Sequence, residues 1–577
     1  MRAIDLSDAW SELDAAQVLR DGAFAHDLIF EAARGSVPAP IARQLHAEMA
    51  GYLEARSAEP AHVAQHWRDA GEALKALPWL VAAAERAGAA WRPAEEGALL
   101  LLAARIARHE GGDRSRAFEL LRRAHRAHLQ ASLGSAAHLE CLDLLETLAV
   151  DPLEQGYAQF ARADTLAQQA EGVAAEAAAR KGLAAIAGES GRAADELQVD
   201  LVAALANALF ILDRPEQGAE AVRSVEARML GLGERRREIE HYANLGVLLD
   251  ASNHHVEAQA ALGHVISLTR AESDRSSELV VLSNLGSSLH DVGKVSAALL
   301  PLREALRLKE QYPELRTGAL FVQVQMGNME RALGHYPEAL RWLEQGRAIL
   351  GEYVPKVVGA AHIGLAHLWL DLGQAARARQ QLELALAIRS GPAMFHALTH
   401  LLVARTALTQ GRRDAAKEAL AVAGTFIIDS TRYAVRAQAT LLGAQLQEPE
   451  AAYASALEVA REAGRLHMMG LRIDALVFAA RAARACGRTA VASTHALEAL
   501  GLWPEHAPDA LYIGDVGLAA VESSSDAAAA AAILEPAQRW IEAAAGRLPE
   551  EFRASFRDRN PANRELLARA GSRPAET

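Results

Sequence analysis

The stretch LSNLGSSLHDVGKVSAALLPLREAL, residues 282–306, decides the fold. Small and large apolar residues recur in it at helical spacing, and Gly293-Lys294 divides it into two halves. Glycine commonly follows the last turn of a helix, because it adopts the left-handed backbone conformation without steric cost. We therefore predict two helices joined by a tight turn at Gly293. The small residues Gly286 and Ala298 would let the two helices cross closely.

The same pattern recurs along the chain, with a turn residue in each copy. From Asp213 to Gly411 the successive turn residues are 38 to 41 residues apart, and Gly487 follows after 76 residues, which fits two units. The unit before Gly487 is irregular around Pro449, and the pattern does not fix the helix register between residues 132 and 192. The predicted turn residues are Gly112, Asp213, Asn253, Gly293, Gly334, Gly373, Gly411 and Gly487.

A helix pair repeated about every 40 residues is typical of tetratricopeptide-like arrays, with helices longer than in the minimal unit of about 34 residues. The composition agrees, because 51% of residues are hydrophobic but only 5% are aromatic, which argues against a large sheet. The sequence therefore predicts an all-α fold, a tetratricopeptide-like helical-repeat superhelix, or α-solenoid.

Charge and cysteine content exclude several classes of function. The net charge is −13 and no basic block occurs, so we expect no direct nucleic-acid binding. Cys141 and Cys486 form neither a zinc-binding spacing nor a disulfide framework. We also expect no membrane span and no signal peptide, because charged residues interrupt every apolar run. A cytoplasmic location fits these features.

Few side chains suggest chemistry, and we predict no catalytic, cofactor-binding or metal-binding residues. The string from Gly286 to Val295 has the wrong spacing for a phosphate-binding loop and lacks its hydroxyl residue. His62 and His66 would share one helix face, where a metal could bind, but packing at a helix end explains them better. An enzymatic alternative would place a site around these two histidines together with His26 and Asp27.

The predicted array offers an extended concave groove for a protein, a peptide or a small-molecule ligand. Tyr336, Trp342 and Trp369 are candidate contacts in that groove. Core packing is the stronger explanation for each of them, because large aromatic side chains usually fill helix interfaces.

Two terminal strings resemble a known family. FAHDLIFEAARGSVPAPIARQLHAEMAGYLE, from Phe24, resembles the winged-helix segment that follows the ATPase core of STAND-type signal-transduction ATPases, and AHVAQHWRDAG continues the likeness. FRDRNPANRELL, from Phe556, resembles the ending of AAA-bearing, SARP/BTAD-like transcriptional activators; the maltose-regulon activator is more distant in architecture. The main matching residues at the N-terminal end are Phe24, His26, Asp27, Glu31, His46, His66 and Trp67.

This resemblance implies a sensor module of a STAND-type transcriptional regulator, working with an ATPase domain in cis or in trans. The nucleotide-binding and DNA-binding domains of that family have no counterpart here, so neither activity is carried over. The alternative is a stand-alone tetratricopeptide scaffold for protein–protein interaction. The predicted domains are a winged-helix-like linker at 1–70, the repeat superhelix at 71–545, and a capping helix with tail at 546–577.

Overall fold

The computed structural model describes most of the chain and divides it into two compact units, residues 1–204 and 205–577. The described residues are 11–16, 19–20, 23–24, 37–131, 133–312, 315, 318–389, 392–428, 432–503, 505–524 and 527–571. The predicted all-α fold is confirmed, because paired antiparallel helices account for nearly all of them.

The first unit contains a very short hairpin followed by helices. Strands β1 (Leu19–Arg20) and β2 (Ala23–Phe24) pair antiparallel. The helices are α1 (Ala39–Ala55), α2 (Pro60–Asp69), α3 (Ala73–Ala89), α4 (Pro93–His109), α5 (Arg114–Ala131), α6 (Ala136–Leu148), α7 (Pro152–Gln168), α8 (Gly172–Ala185) and α9 (Arg192–Ile211), the last of which contains the division between the units.

The second unit continues the helical pairs and ends in four further helices. The helices are α10 (Pro215–Ser224), α11 (Glu226–Leu232), α12 (Arg235–Ala251), α13 (His255–Glu272), α14 (Arg275–Asp291), α15 (Val295–Gln311), α16 (Val322–Ala332), α17 (Tyr336–Tyr353), α18 (Gly359–Asp371), α19 (Ala375–Leu386), α20 (Ala393–Thr409), α21 (Arg413–Gly424), α22 (Tyr433–Ala444), α23 (Pro449–Arg465), α24 (Met469–Ala485), α25 (Thr489–Leu502), α26 (Ile513–Ser523), α27 (Ala527–Arg547), α28 (Glu550–Asp558) and α29 (Pro561–Gly571); a short 3₁₀ helix spans Pro355–Val357.

The predicted turns are confirmed, because all eight turn residues have a positive φ. Six of them are glycines, and the two others are Asp213 at 59° and Asn253 at 64°. Asp and Asn tolerate the left-handed region better than other residues with a side chain, since their short polar groups hydrogen-bond locally. The turn residue therefore marks where each first helix ends and the second begins.

Close crossing of the paired helices depends on small residues, as the sequence predicts. A Cβ atom on Gly286 would lie 2.6 Å from Leu302 Cδ2, and one on Gly246 would lie 2.7 Å from Leu262 Cδ2. Both leucines belong to the second helix of the same pair and are fully buried. Glycine at this position thus gives space to a leucine on the facing helix.

Two turns of the repeat array could not be recognised in the sequence. The α7–α8 turn uses Ala170 at φ 63°, and alanine carries no turn signal. Between α22 and α23, the chain turns through Gln445 to Glu448 without a residue at positive φ, and Pro449 begins the next helix. Proline suits the first helical position because its missing N–H would have no partner there.

In the second unit, late segments cover the turns of four successive earlier pairs; we call this contact the turn seam. The main-chain N–H of Ala507 donates to Gly293 O at 3.0 Å, and Trp540 lies against Gly334. Ser555 Oγ donates to Leu372 O at 2.9 Å, next to Gly373. At the turn containing Asn253, the contact is made by Arg432, described below. Pairs far apart in sequence are therefore joined directly.

The structure's division at 204/205 falls inside the region predicted as one array, and the predicted boundaries at 70 and 545 stay predictions. Among the described residues, no helix is both long and apolar enough to cross a membrane.

Candidate ligand groove

The second unit contains a groove of about 570 Å³. Most of its lining comes from the first helices of successive pairs, α12, α14, α16, α18 and α20. We call it the inner groove. Its lining residues are Phe210, Val247, Asp250, Leu262, Val280, Ser283, Asn284, Ser287, His290, Ala319, Phe321, Val324, Gln325, Asn328, Ala360, Ile363, Met394, Phe395, Leu398 and Arg432.

A strip of polar side chains crosses the groove from α14 to α16. Ser283 Oγ donates to Gln325 Oε1 at 2.9 Å, and Gln325 Nε2 donates to Ser287 Oγ at 2.5 Å. Ser283 and Ser287 lie one helical turn apart on α14, so their side chains face the same side of that helix. The bonds fix the Gln325 amide in place, which prepares the strip for a ligand without further ordering.

Two amides in the lining have no hydrogen-bond partner within the described part of the chain. Asn284 lies beside Ser283 on α14, and Asn328 follows Gln325 by three residues on α16. Each primary amide offers two donors and an acceptor. A main-chain peptide group presents one donor and one acceptor, so each Asn amide can donate to a peptide carbonyl and accept from a peptide N–H.

Apolar side chains form another part of the lining. The rings of Phe321 and Phe395 have centroids 6.5 Å apart, and Ile363 and Met394 also line the groove. Ligand sites commonly combine an apolar wall with a few fixed polar groups, which supply affinity and orientation respectively. The inner groove has this combination.

A network of ionisable groups lies beside the groove and shares Asp250 and Arg432 with its lining. Arg432 Nη1 lies 3.3 Å from Asp291 Oδ2, and Arg432 Nη2 lies 4.0 Å from Asp250 Oδ2. His255 Nδ1 is 2.8 Å from Asp250 Oδ1, with both side chains buried. The guanidinium therefore bridges the first helices of two pairs from a position directly before α22, 141 residues after Asp291.

The charges of this network shift the pKa of Asp291. Burial raises the pKa, but contact with His290 and the guanidinium of Arg432 outweigh burial and hold it below its ordinary value. Asp291 is consequently a carboxylate at neutral pH, and it pairs with Arg432.

Asp250, His255 and Asp291 could also be considered as metal ligands, since their ligand atoms all lie within 4.8 Å of one another. Arg432 argues against that use, because its guanidinium is within ion-pair distance of both carboxylates. A metal cation would have to displace the guanidinium or bind close to its positive charge, which would repel the cation. The geometry favours an ion network that joins two pairs.

The structure places the predicted aromatic contacts away from the inner groove. Tyr336 is 1% exposed and packs on Phe556 at a centroid distance of 5.4 Å, and Trp369 is 6% exposed and packs on Phe552 at 5.5 Å. Both fill the core under the C-terminal helices, as the packing alternative states. Trp342 is half-buried, and its ring lies 4.9 Å below the guanidinium of Arg341.

The groove residues themselves were missed at the sequence level. The signal that could have found them is a polar stripe in otherwise apolar first helices, at Ser283, Asn284 and Ser287. Polar residues at interior-facing helix positions indicate a lined cavity or a functional surface.

The described N-terminal motif residues join three helices of the first unit. His46 Nδ1 on α1 lies 2.9 Å from His66 Nδ1 on α2. Trp67 Nε1 donates to Glu54 Oε1 at 2.5 Å, and Trp79 Nε1 on α3 donates to the same oxygen at 2.8 Å. Burial and the neighbouring His46 lower the pKa of His66.

The remaining motif residues carry no structural account. His26, Asp27 and Glu31 lie outside the described residues, and only the backbone of Phe24 is described, in β2. The enzymatic alternative around His26 and Asp27 is therefore not tested by the geometry.

Comparison with known proteins gives structural neighbours only. No family model matches the chain, and no similar sequence was found among curated proteins. The APC/C hetero-tetramer Cut9-Hcn1 matches with 13% identity and a TM-score of 0.44, covering 92% of this chain and 96% of that one. A Rap protein complexed with Competence and Sporulation Factor matches with 13% identity and a TM-score of 0.47, covering 60% and 98%.

A third neighbour is a STAND protein with a tetratricopeptide repeat sensor from Pyrococcus horikoshii, with 14% identity and a TM-score of 0.39, covering 57% of this chain and 52% of that one. At these identities the neighbours indicate the fold and not the function of this chain. Its paired helices, 40-residue period and left-handed turns define a tetratricopeptide-like helical-repeat protein.

Proposed function

We propose that the chain is a binding module that holds an extended peptide, or a small ligand of peptide-like chemistry, in the inner groove, and that it acts without catalysis. The open amides of Asn284 and Asn328 beside the fixed Gln325 carry this proposal. Amides placed on two neighbouring helices match the donors and acceptors of a peptide main chain. The apolar wall around Phe321 and Phe395 would take alternate side chains.

Selection from a phage-displayed library of short peptides on the immobilised full chain tests the proposal, with affinities then measured by fluorescence polarisation. Ser287→Trp fills the groove and should remove binding of the selected peptides. Ser296→Trp places the same ring on the exposed face of α15 and is the matched control. Selected peptides that bind Ser287→Trp as tightly as the unchanged protein would place the site elsewhere.

Asn328→Ala gives a finer test of the same site. It removes an amide without filling space, and each lost hydrogen bond is worth about 0.5–1.5 kcal/mol, so we expect peptide affinity to fall up to about tenfold. Equal affinity would show that the amide does not contact the ligand.

We further propose that ligand binding is transmitted to an ATPase domain of a STAND-type transcriptional regulator, in cis or in trans. The N-terminal motif supports this, because His46, His66 and Trp67 match the family pattern and join α1, α2 and α3. Sequencing the locus upstream of Met1 tests it. An in-frame P-loop ATPase would support the regulator, and a stop codon directly before Met1 would remove the arrangement in cis.

The alternative, a stand-alone scaffold, accounts for the repeat fold equally well. Small-angle scattering of the full chain with and without a selected peptide separates the two. A scaffold keeps its radius of gyration and shape, whereas a sensor changes them on binding.

A further inference from the structure

A second cavity lies in the C-terminal part of the second unit and has a different chemistry from the inner groove. It measures about 440 Å³, and we call it the α27 cavity because α27 supplies most of its wall. Its lining residues are Leu500, Trp503, Ile513, Gly514, Val516, Gly517, Ala532, Ile533, Pro536, Ala537, Trp540, Ile541 and Leu566. No charged side chain belongs to this lining, and its only polar side-chain atoms are two indole nitrogens.

Packing against neighbouring residues holds the wall of the cavity in place. Trp540 lies between the Tyr512 ring, at a centroid distance of 6.1 Å, and the turn at Gly334, where an added Cβ would come within 2.7 Å of Trp540 Cζ2. Ile541 and Leu566 are buried in the same core. The cavity is therefore a preformed feature, with a size in the range of about 300–1,000 Å³ that small-molecule sites occupy.

One main-chain acceptor beside the apolar lining lacks its helical donor. Pro536 lies inside α27, where its missing N–H deprives the carbonyl of Ala532 of its ordinary helical donor. Ala532 and Pro536 both belong to the lining and are solvent-exposed. A ligand with a hydrogen-bond donor at one end could satisfy this carbonyl while its apolar part fills the cavity.

We propose that the α27 cavity binds a neutral, mainly aliphatic small molecule that carries one hydroxyl group. The apolar walls exclude an anionic head group, because a charge placed there would lose its hydration without a partner. Residues from four helices, α25, α26, α27 and α29, contribute to the lining, which distinguishes this concave cavity from a flat apolar face that would receive another protein. This site is separate from the inner groove and does not depend on the function proposed for it.

Displacement of a neutral fluorescent probe, N-phenyl-1-naphthylamine, from the full chain by 1-decanol tests the proposal. We expect saturable displacement at one site per chain. The methyl ether of decanol, which lacks the donor, should bind up to about tenfold more weakly, as should decanoate at neutral pH. Absence of saturable displacement by decanol, or tighter binding of decanoate than of decanol, would overturn the proposal.

Two variants locate the site. Ala532→Trp fills the mouth and should weaken decanol binding at least tenfold, and Trp503→Ser removes a wall and should weaken it as well. Ala543→Trp, on an exposed position of the same helix, is the matched control. Circular dichroism and thermal melting verify that each variant is folded. Decanol binding that is equal in Ala532→Trp and Ala543→Trp would place the ligand outside the cavity and overturn the proposal.

Discussion

Asn560 donates its side-chain amide to the main-chain oxygen of Asp371, 189 residues earlier, at a distance of 2.8 Å. Asn560 Oδ1 in turn accepts from the main-chain N–H of Asn563, whose own amide donates to Phe556 O at 2.9 Å. All four residues are buried, and Phe556, Asn560 and Asn563 belong to the FRDRNPANRELL string at the C-terminal end. The string therefore has a structural role, which is to close the turn seam at the end of α18.

Asn560→Ala should loosen this closure. It leaves the buried Asp371 carbonyl and the Asn563 N–H without their partners, at a cost of about 1–3 kcal/mol each. We expect faster hydrogen–deuterium exchange across α28 and α29 and a lower thermal midpoint. Asn207→Ala, at an exposed position, is the control and should change neither. Unchanged exchange in α29 would show that the seam does not depend on Asn560.

Arg331→Met should strongly destabilise the second unit. Arg331 Nη1 lies 2.7 Å from Asp371 Oδ2, and both side chains are nearly fully buried. Burial raises the pKa of Asp371, and Arg331 opposes that shift. Removing only the cation leaves an unpaired buried carboxyl, which costs about 3–5 kcal/mol.

The double variant Arg331→Met with Asp371→Leu tests whether the loss of stability comes from the unpaired charge. It replaces both charges by apolar groups, so that most of the lost stability should return. Urea unfolding followed by tryptophan fluorescence gives the midpoints. A double variant that is less stable than Arg331→Met alone would contradict this account of the pair.

The second unit should lose stability as the pH rises, because of Asp474. Burial and the nearby Asp509 raise the pKa of Asp474 to about 8, although the N–H groups of Ala510 and Leu511 donate to it. The folded state then holds a proton that the unfolded state has lost above its ordinary pKa of 3.8. Stability from this proton is complete below about pH 4 and disappears as the pH rises through about 8.

Asp474→Asn keeps an oxygen that can accept from Ala510 and Leu511 but does not titrate. We expect thermal midpoints of this variant to vary less between pH 5 and pH 9 than those of the unchanged protein. Asp414→Asn is the control, since the Asp414 side chain is fully exposed. An unchanged pH dependence in Asp474→Asn would assign the effect to another group.

The first unit should respond to pH in the opposite direction. His125 Nδ1 lies 3.2 Å from His138 Nε2, and both rings are buried. Burial, followed by the mutual charge interaction, lowers the pKa of His125 to about 3, and burial lowers that of His138 to about 4. Below about pH 6.5 these two histidines bind protons in the unfolded state but not in the folded state. The stability of the folded state therefore falls as the pH drops below this value.

His125→Phe removes one of these groups and roughly conserves its volume. After correction for the intrinsic pH dependence of amide exchange, the opening of α5 and α6 should rise less between pH 7 and pH 5 in this variant than in the unchanged protein. The matched control is His109→Phe, on the exposed end of α4. An equal rise in His125→Phe would show that the histidine pair does not govern acid sensitivity.

The repeat period and turn positions could be predicted because each turn needs a left-handed residue and each crossing needs a small one. Gly286 and Asn253 express these local demands directly in the sequence. The inner groove could not be predicted in the same way. Whether Ser287 faces a neighbour, a cavity or solvent depends on the rotation between successive pairs, which is a sum of many small packing angles.

The turn seam likewise could not be predicted from the repeat period. Gly334 appears as an ordinary turn glycine, yet Trp540 lies against it from more than 200 residues later. Tyr336 and Trp369 illustrate the same limit, because their burial depends on Phe556 and Phe552 of the C-terminal helices. Contacts of this range leave no spacing that a local pattern could reveal.

The turn seam also has a consequence for how the second unit is made. In an open repeat array each pair contacts only its neighbours, so folding can begin anywhere and spread. Here the pairs whose turns contain Gly293, Gly334 and Gly373 lack their seam partners until residues 507–560 have left the ribosome. We expect those early pairs to remain loosely ordered during synthesis and to become fully protected from proteolysis only after chain release.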